Sequence, residues 1–258
     1  MNLEYLQSIV RNRPVGICVH GRSIEQLENH IVELDKMVDM CWVGLGLFPI
    51  FEKFILSKVN RNLNIVFDCA TVPHARMPHY EQIRLPRIHE FLNRPQNNLW
   101  ITTHGLIRDS VKEFMPQLIE EWYKDKILQV DALFPKDEIP FWMDVPNSIT
   151  LAVGAMLAGG ASKIVIFGLD GYNADVSQGL DSYYQKEEHR KERLAALGTT
   201  EDPGINRDTQ GFENRFGTIL DCYRELFKND AEILNCSDIT VYKNIKKIVY
   251  EELKENLE

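Results

Sequence analysis

Asn147 to Tyr172 reads NSITLAVGAMLAGGASKIVIFGLDGY, and the order of its segments decides the fold. Ser148 to Leu157 is small and apolar, without charge or proline, which predicts a helix buried on nearly all sides rather than one with a single apolar stripe. Gly159-Gly160 then ends the helix, because glycine accepts the left-handed conformation that a helix C-terminus favours. Lys163 to Phe167 (KIVIF) is β-branched and aromatic, too short for a helix and without polar alternation, as a strand covered on both faces should be. It runs into Gly168-Leu169-Asp170-Gly171-Tyr172. Helix, glycine turn, buried strand and acidic-aromatic loop make the central unit of a parallel α/β sheet. Ligands of such sheets sit beyond the carboxyl ends of the strands, so chemistry is expected at Asp170 and Tyr172.

Working outward, the same alternation recurs. Leu3 to Val10 predicts a short helix, broken at Arg13-Pro14, and Val15 to His20 a buried strand. His20-Gly21-Arg22-Ser23 leads into a helix with apolar residues at Ile24, Leu27, Ile31, Leu34 and Met37. Ser23 and Gln26 form a capping-box pattern at its start. A strand ending at a glycine turn before a helix is a recurrent phosphate-binding geometry, because exposed N–H groups point at the ligand. Further strands are expected at Met40–Leu45, Asn64–Cys69, Leu99–Thr103, Ile127–Val130 and Ala231–Cys236. Helices are expected over Phe48–Lys58, Ile107–Tyr123, Thr209/Gln210–Phe227 and Ile239–Leu257. The order predicts a Rossmann-like, doubly wound α/β fold with about six mostly parallel strands. One such domain spans 1–258, with residues 173–209 as a lid-like insertion, since a long polar connection at a strand end is more often a binding loop than filler.

Composition excludes some classes. A net charge of −9 argues against nucleic-acid binding, which rests on clustered Lys and Arg. The five cysteines form no CxxC pair and mostly sit in apolar runs, as buried reduced thiols do. No apolar run reaches the roughly 18 residues of a membrane span, which predicts a soluble, cytoplasmic protein. Gly44-Leu45-Gly46-Leu47-Phe48-Pro49 half-matches a dinucleotide fingerprint but has proline at the last glycine. His74, His79 and His89 are separated by five and ten residues with prolines between, unlike a zinc helix.

The residues at strand ends supply the candidate chemistry. Arg22, the backbone at Gly21 and Ser23, and Arg190, Arg193 or Arg207 can hold a phosphate. Tyr183 and Tyr184 can stack on a base or donate to phosphate. Asp170 can bind a divalent metal or a sugar hydroxyl, or merely cap a loop. His104 and His189 are the acid/base candidates, imidazole titrating near neutral pH.

The central stretch resembles the nucleotide-binding domain of bacterial lipooligosaccharide sialyltransferases and of the motility accessory factor (Maf) flagellin glycosyltransferases, with archaeal 6-hydroxymethylpterin diphosphokinases as further relatives. The shared pattern is a serine opening a small-residue helix, a glycine, a KxIxxxG strand and G-[IL]-D followed by an aromatic. Here these are Ser148, Gly160, Lys163-Ile164, Gly168-Leu169-Asp170 and Tyr172. Gly21-Arg22-Ser23-Ile24 is similar to the sialyltransferases' G-P-S-L turn. Where those enzymes carry asparagines, in the first turn and after the second strand, this chain has His20 and Gly44.

The resemblance implies a CMP-sugar or other nucleotide phosphate near Gly21, Ser23, Ser148, Gly168, Asp170 and Tyr172, with Tyr172 and Tyr183 or Tyr184 at the leaving phosphate. It implies a glycosyltransferase acting on a glycan or protein acceptor, with His189 or His104 as base and no cofactor required. The alternatives are a diphosphokinase with Mg²⁺ held by Asp170 and Asp68, or a non-catalytic nucleotide-sugar-binding module. A homo-oligomer is compatible with any of these.

Overall fold

A computed structural model describes residues 2–46, 49–68, 85–96, 98–102, 126–129, 133, 148–170, 191, 212–240, 242 and 244–257. Its centre is the stretch quoted above. The helix α5 (Ser148–Gly159) buries every residue from Ile149 to Leu157, since no face of it is polar enough to prefer water. Gly160, at φ +83°, turns the chain into the strand β6 (Lys163–Phe167).

Around β6 the strands β1 (Pro14–Cys18), β2 (Cys41–Leu45), β3 (Ile65–Asp68), β4 (Leu99–Thr102), β5 (Ile127–Gln129), β7 (Glu232–Cys236) and β8 (Lys246–Ile248) complete an eight-stranded sheet. Its order is β5-β4-β3-β2-β1-β6-β7-β8 and every pairing is parallel. The fold is the expected Rossmann-like, doubly wound one. One face is covered by α1 (Asn2–Val10), α5 and α6 (Phe212–Phe227), through Leu6, Val10, Met156, Phe216 and Leu220. The other is covered by α2 (Ile24–Met37), α3 (Pro49–Phe54), α4 (Leu85–Leu92) and α7 (Tyr250–Leu257), through Leu27, Ile31, Phe51, Phe91 and Leu253.

Four expectations need correction. The sheet has eight strands rather than about six; seven fall on the marked segments, and the one not foreseen is the three-residue edge strand β8. The closing helix does not span Ile239–Leu257: Lys246–Ile248 is the edge strand, paired with Leu234–Cys236, and only Tyr250–Leu257 is α-helical. Ile245, Ile248 and Val249 mimic a helical repeat, yet β-branched residues beside an open strand edge gain more from the ladder. The helix expected over Phe48–Lys58 breaks at Ile55 into a 3₁₀ turn, Leu56–Val59, which brings Ile55 and Leu56 both into the core. Finally, Ser23 does not cap α2 with its hydroxyl.

The expected helix at Ile107–Tyr123 and the insertion 173–209 lie outside the described residues, apart from Lys191. Among the described residues no helix is long and apolar enough to cross a membrane. The described cysteines Cys18, Cys41, Cys222 and Cys236 are all free thiols.

Two glycines at φ +83° test how the central turns are held. A β-carbon on Gly160 would approach nothing nearer than the Arg11 side chain at 3.5 Å, whereas one on Gly168 would collide with the Val19 carbonyl oxygen. Gly160→Ala should therefore cost about 1–2 kcal/mol, the left-handed penalty alone. Gly168→Ala should cost roughly 3 kcal/mol or more, since backbone overlap adds to it. Urea unfolding of the two variants measures the gap; equal costs would mean that β1 and β6 do not close as described.

Candidate functional site

The strand order reverses direction between β1 and β6, because β2 lies to one side of β1 and β7 to the other side of β6. At such a reversal the loops leaving two neighbouring strands diverge to opposite faces, and the crevice between them is the usual ligand site of an open α/β sheet. The loops here are Val19–Ser23 and Gly168–Asp170. They do not gape at their base. Val19 N–H donates to the Phe167 carbonyl and Gly21 N–H to the Gly168 carbonyl, both at 2.9 Å. A β-carbon on Gly21 would run into the Gly168 carbonyl oxygen and the Asp170 carboxylate, so only glycine permits this approach.

That approach brings Asp170 to the start of α2. Its Oδ2 accepts the Ser23 N–H at 2.8 Å, and its Oδ1 accepts both the Ser23 hydroxyl and, at 2.6 Å, the Ser237 hydroxyl. Asp170 is 5% exposed and Ser23 2%, so these charge-assisted bonds form away from water. The carboxylate takes the place of a capping side chain: it satisfies a free N–H of α2 and faces the helix's positive end. Ser23 serves Asp170 instead of capping.

Beside it, Asn235 Nδ2 donates to the Leu169 carbonyl and to Thr240 Oγ1, both at 2.9 Å, while the Thr240 hydroxyl donates to the Leu169 carbonyl at 2.8 Å. The loops after β1, β6 and β7 are thereby joined by side-chain bonds at the carboxyl edge. On the far side of β1, His20 donates Nε2–H to the Leu45 carbonyl at 2.7 Å and stacks on Phe51, with ring centroids 4.9 Å apart.

Of the residues singled out from sequence, Gly21, Ser23, Gly168 and Asp170 come together. Arg22 stands exposed on the same turn. Ser148 opens α5, half-buried, with no bond to the Asp170 cluster. Tyr172, Tyr183, Tyr184, His189, Arg190, Arg193, Arg207 and His104 lie outside the described residues. Sequence reasoning assigned no role to Ser237, Asn235 or Thr240. A lone asparagine in the apolar run AEILNC was the available signal.

The cluster's chemistry narrows what it can do. Asp170 already accepts three hydrogen bonds, so it suits positioning better than metal ligation, and the donor set does not fit a Mg²⁺ site. Among the described residues no group of three or more His, Cys, Asp or Glu is placed to hold a metal. Burial pushes the Cys236 thiol up to about 12 and the Cys18 thiol higher still, so neither is a thiolate nucleophile at neutral pH. Tyr250, packed beneath them, is likewise raised well above the usual phenol by burial. What remains among the described residues is a closely bonded, glycine-lined turn at the reversal of strand order, with the exposed Arg22 beside it. No family model, curated protein or solved structure matches the chain.

The Asp170 cluster should behave as one unit. Ser237→Ala should cost about 1 kcal/mol and Asp170→Asn about 2 kcal/mol, with the double variant falling short of the sum by at least about 0.5 kcal/mol. Additive costs in a double-mutant cycle would mean that the two side chains do not share a bond.

Proposed function

We propose that the protein is a glycosyltransferase that moves a sugar from a nucleotide donor, a CMP-sugar, to a hydroxyl acceptor, with the donor seated over the β1/β6 crevice. The supporting observation is the close contact of Gly21 with Gly168 at the point where the sheet order reverses, reinforced by Asp170. It leaves a rigid site at the carboxyl edge without β-carbons at its floor, where a ligand can approach backbone groups closely. The resemblance in Ser148, Gly160, Gly168-Leu169-Asp170 and Tyr172 supplies the substrate class.

In this reading Asp170 is a positioning residue. It fixes the Gly21–Ser23 turn by satisfying Ser23 from behind, and Arg22 on that turn offers a guanidinium to the donor phosphate. The acceptor hydroxyl gives its proton to a base, its oxygen bonds to the anomeric carbon, and the bond from that carbon to the phosphate oxygen breaks. The electron pair leaves on the nucleotide phosphate, where cationic and phenolic donors stabilise it. Tyr172, Tyr183 and Tyr184 are the phenols expected there, and His189 or His104 the base. A diphosphokinase reading asks Asp170 to hold Mg²⁺, which its three accepted hydrogen bonds disfavour.

Thermal melting against CMP, CDP, UDP, GDP, ATP and S-adenosylmethionine, each with and without Mg²⁺, tests this. CMP at a hundred times its dissociation constant should stabilise by about 2.7 kcal/mol, a rise of several degrees indifferent to Mg²⁺. A rise with ATP that requires Mg²⁺ would replace the transferase by the diphosphokinase, and no rise with any nucleotide would contradict both.

A further inference from the structure

In the loop after β7, three polar groups converge on one hydroxyl. Thr240 Oγ1 donates to the Leu169 carbonyl at 2.8 Å, accepts from Asn235 Nδ2 at 2.9 Å and accepts the Tyr242 N–H at 3.2 Å. A hydroxyl has one proton to give and two lone pairs to offer, so all three are used and the group has a single orientation. The Leu169 carbonyl is filled as well, since Asn235 Nδ2 also donates to it at 2.9 Å.

The consequence falls on Asp170. The Leu169 carbonyl belongs to the planar peptide whose nitrogen is that of Asp170. Two donors on that oxygen set the plane, and with it the direction in which the Asp170 side chain leaves the backbone. The carboxylate then meets the Ser23 N–H at 2.8 Å with one oxygen and the Ser237 hydroxyl at 2.6 Å with the other. The loop after β7 thus grips two neighbouring residues, Leu169 through Thr240 and Asp170 through Ser237.

A brace works only if its far end is fixed. The buried ring of Tyr242 meets Phe216 of α6 edge-on, with centroids 5.0 Å apart at 66°. Beside it, Gly217 lies against Asn244, so close that a β-carbon there would strike the Asn244 carbonyl oxygen. Thr240 links this anchored stretch to the β6 loop. It is only half-buried, so replacing it removes the hydroxyl without opening the core.

We infer that Thr240 is a positioning residue of the nucleotide site. Its hydroxyl holds the Leu169–Asp170 peptide, Asp170 holds the Ser23 N–H, and the Gly21–Ser23 turn keeps its place beneath the donor phosphate through that relay. The inference rests on the reading that nucleotide sits at the β1/β6 crevice, and adds to it a residue that governs affinity without touching the ligand.

The test uses the full chain, with CMP titrated by calorimetry well below the melting temperature and amide hydrogen exchange followed at Ser23. Thr240→Val keeps the side-chain shape and loses the hydroxyl. It should weaken CMP binding about five- to tenfold, the worth of one hydrogen bond, and speed Ser23 exchange by a similar factor. Thr240→Ser keeps the hydroxyl and should stay within about twofold of the wild type in both. Gly160→Ala, destabilised at the opposite edge of the sheet, should bind CMP as the wild type does, which separates positioning from lost stability.

Wild-type CMP affinity in Thr240→Val would overturn the inference and leave the nucleotide site in place; if Ser23 exchange were faster in that variant, the hydroxyl would be structural only. Equal weakening in Thr240→Val and Thr240→Ser would trace the loss to packing, and equal weakening in Thr240→Val and Gly160→Ala to global stability, each overturning it too. A wild-type chain that does not bind CMP would overturn the nucleotide reading, and this inference with it.

Discussion

The carboxyl edge depends on one close approach: the Gly21 N–H to the Gly168 carbonyl at 2.9 Å, with no β-carbon on either residue. It extends the β1–β6 pairing past the ends of the strands, to the point where the two loops should part. From there Asp170 can reach Ser23, 147 positions away in sequence, and Ser237 from the third loop. Without that contact, the Ser23 N–H before α2 would lose its acceptor and the buried carboxylate would keep only the Ser237 hydroxyl as a donor, a loss of the order of 1–3 kcal/mol. At this edge backbone, carboxylate and the start of α2 satisfy one another.

How much of this was legible follows from the range of the interactions. The α5–β6 unit could be read because its signals are local: an all-apolar helix, a left-handed glycine, a strand with no polar alternation. Chaining such units gives the parallel, doubly wound class, while the strand order is fixed by long-range pairing. The role of Asp170 could not be read, because it is settled by Ser23 and Ser237 arriving from distant strands. The same competition misled the reading of Ser23, where a local capping pattern lost its hydroxyl to a buried carboxylate. At the other end, the helical spacing of Val241, Ile245 and Val249 hid β8, whose stability comes from β7 alongside.

Over β1, β6 and β7 every described carboxylate and hydroxyl in the cluster is engaged, which suits a site that must hold its shape while a charged ligand enters and leaves.

The central claim is that nucleotide binds at the β1/β6 crevice, and hydrogen–deuterium exchange with and without CMP tests it most directly. Slowed exchange should concentrate at residues 19–24 and 168–170, with a smaller effect at 237–240. The amino edge, where Arg11, Asn12, Gly160 and Asn229 line an open groove, should be unchanged. Protection confined to that groove, or none at the crevice under saturating CMP, would contradict the account.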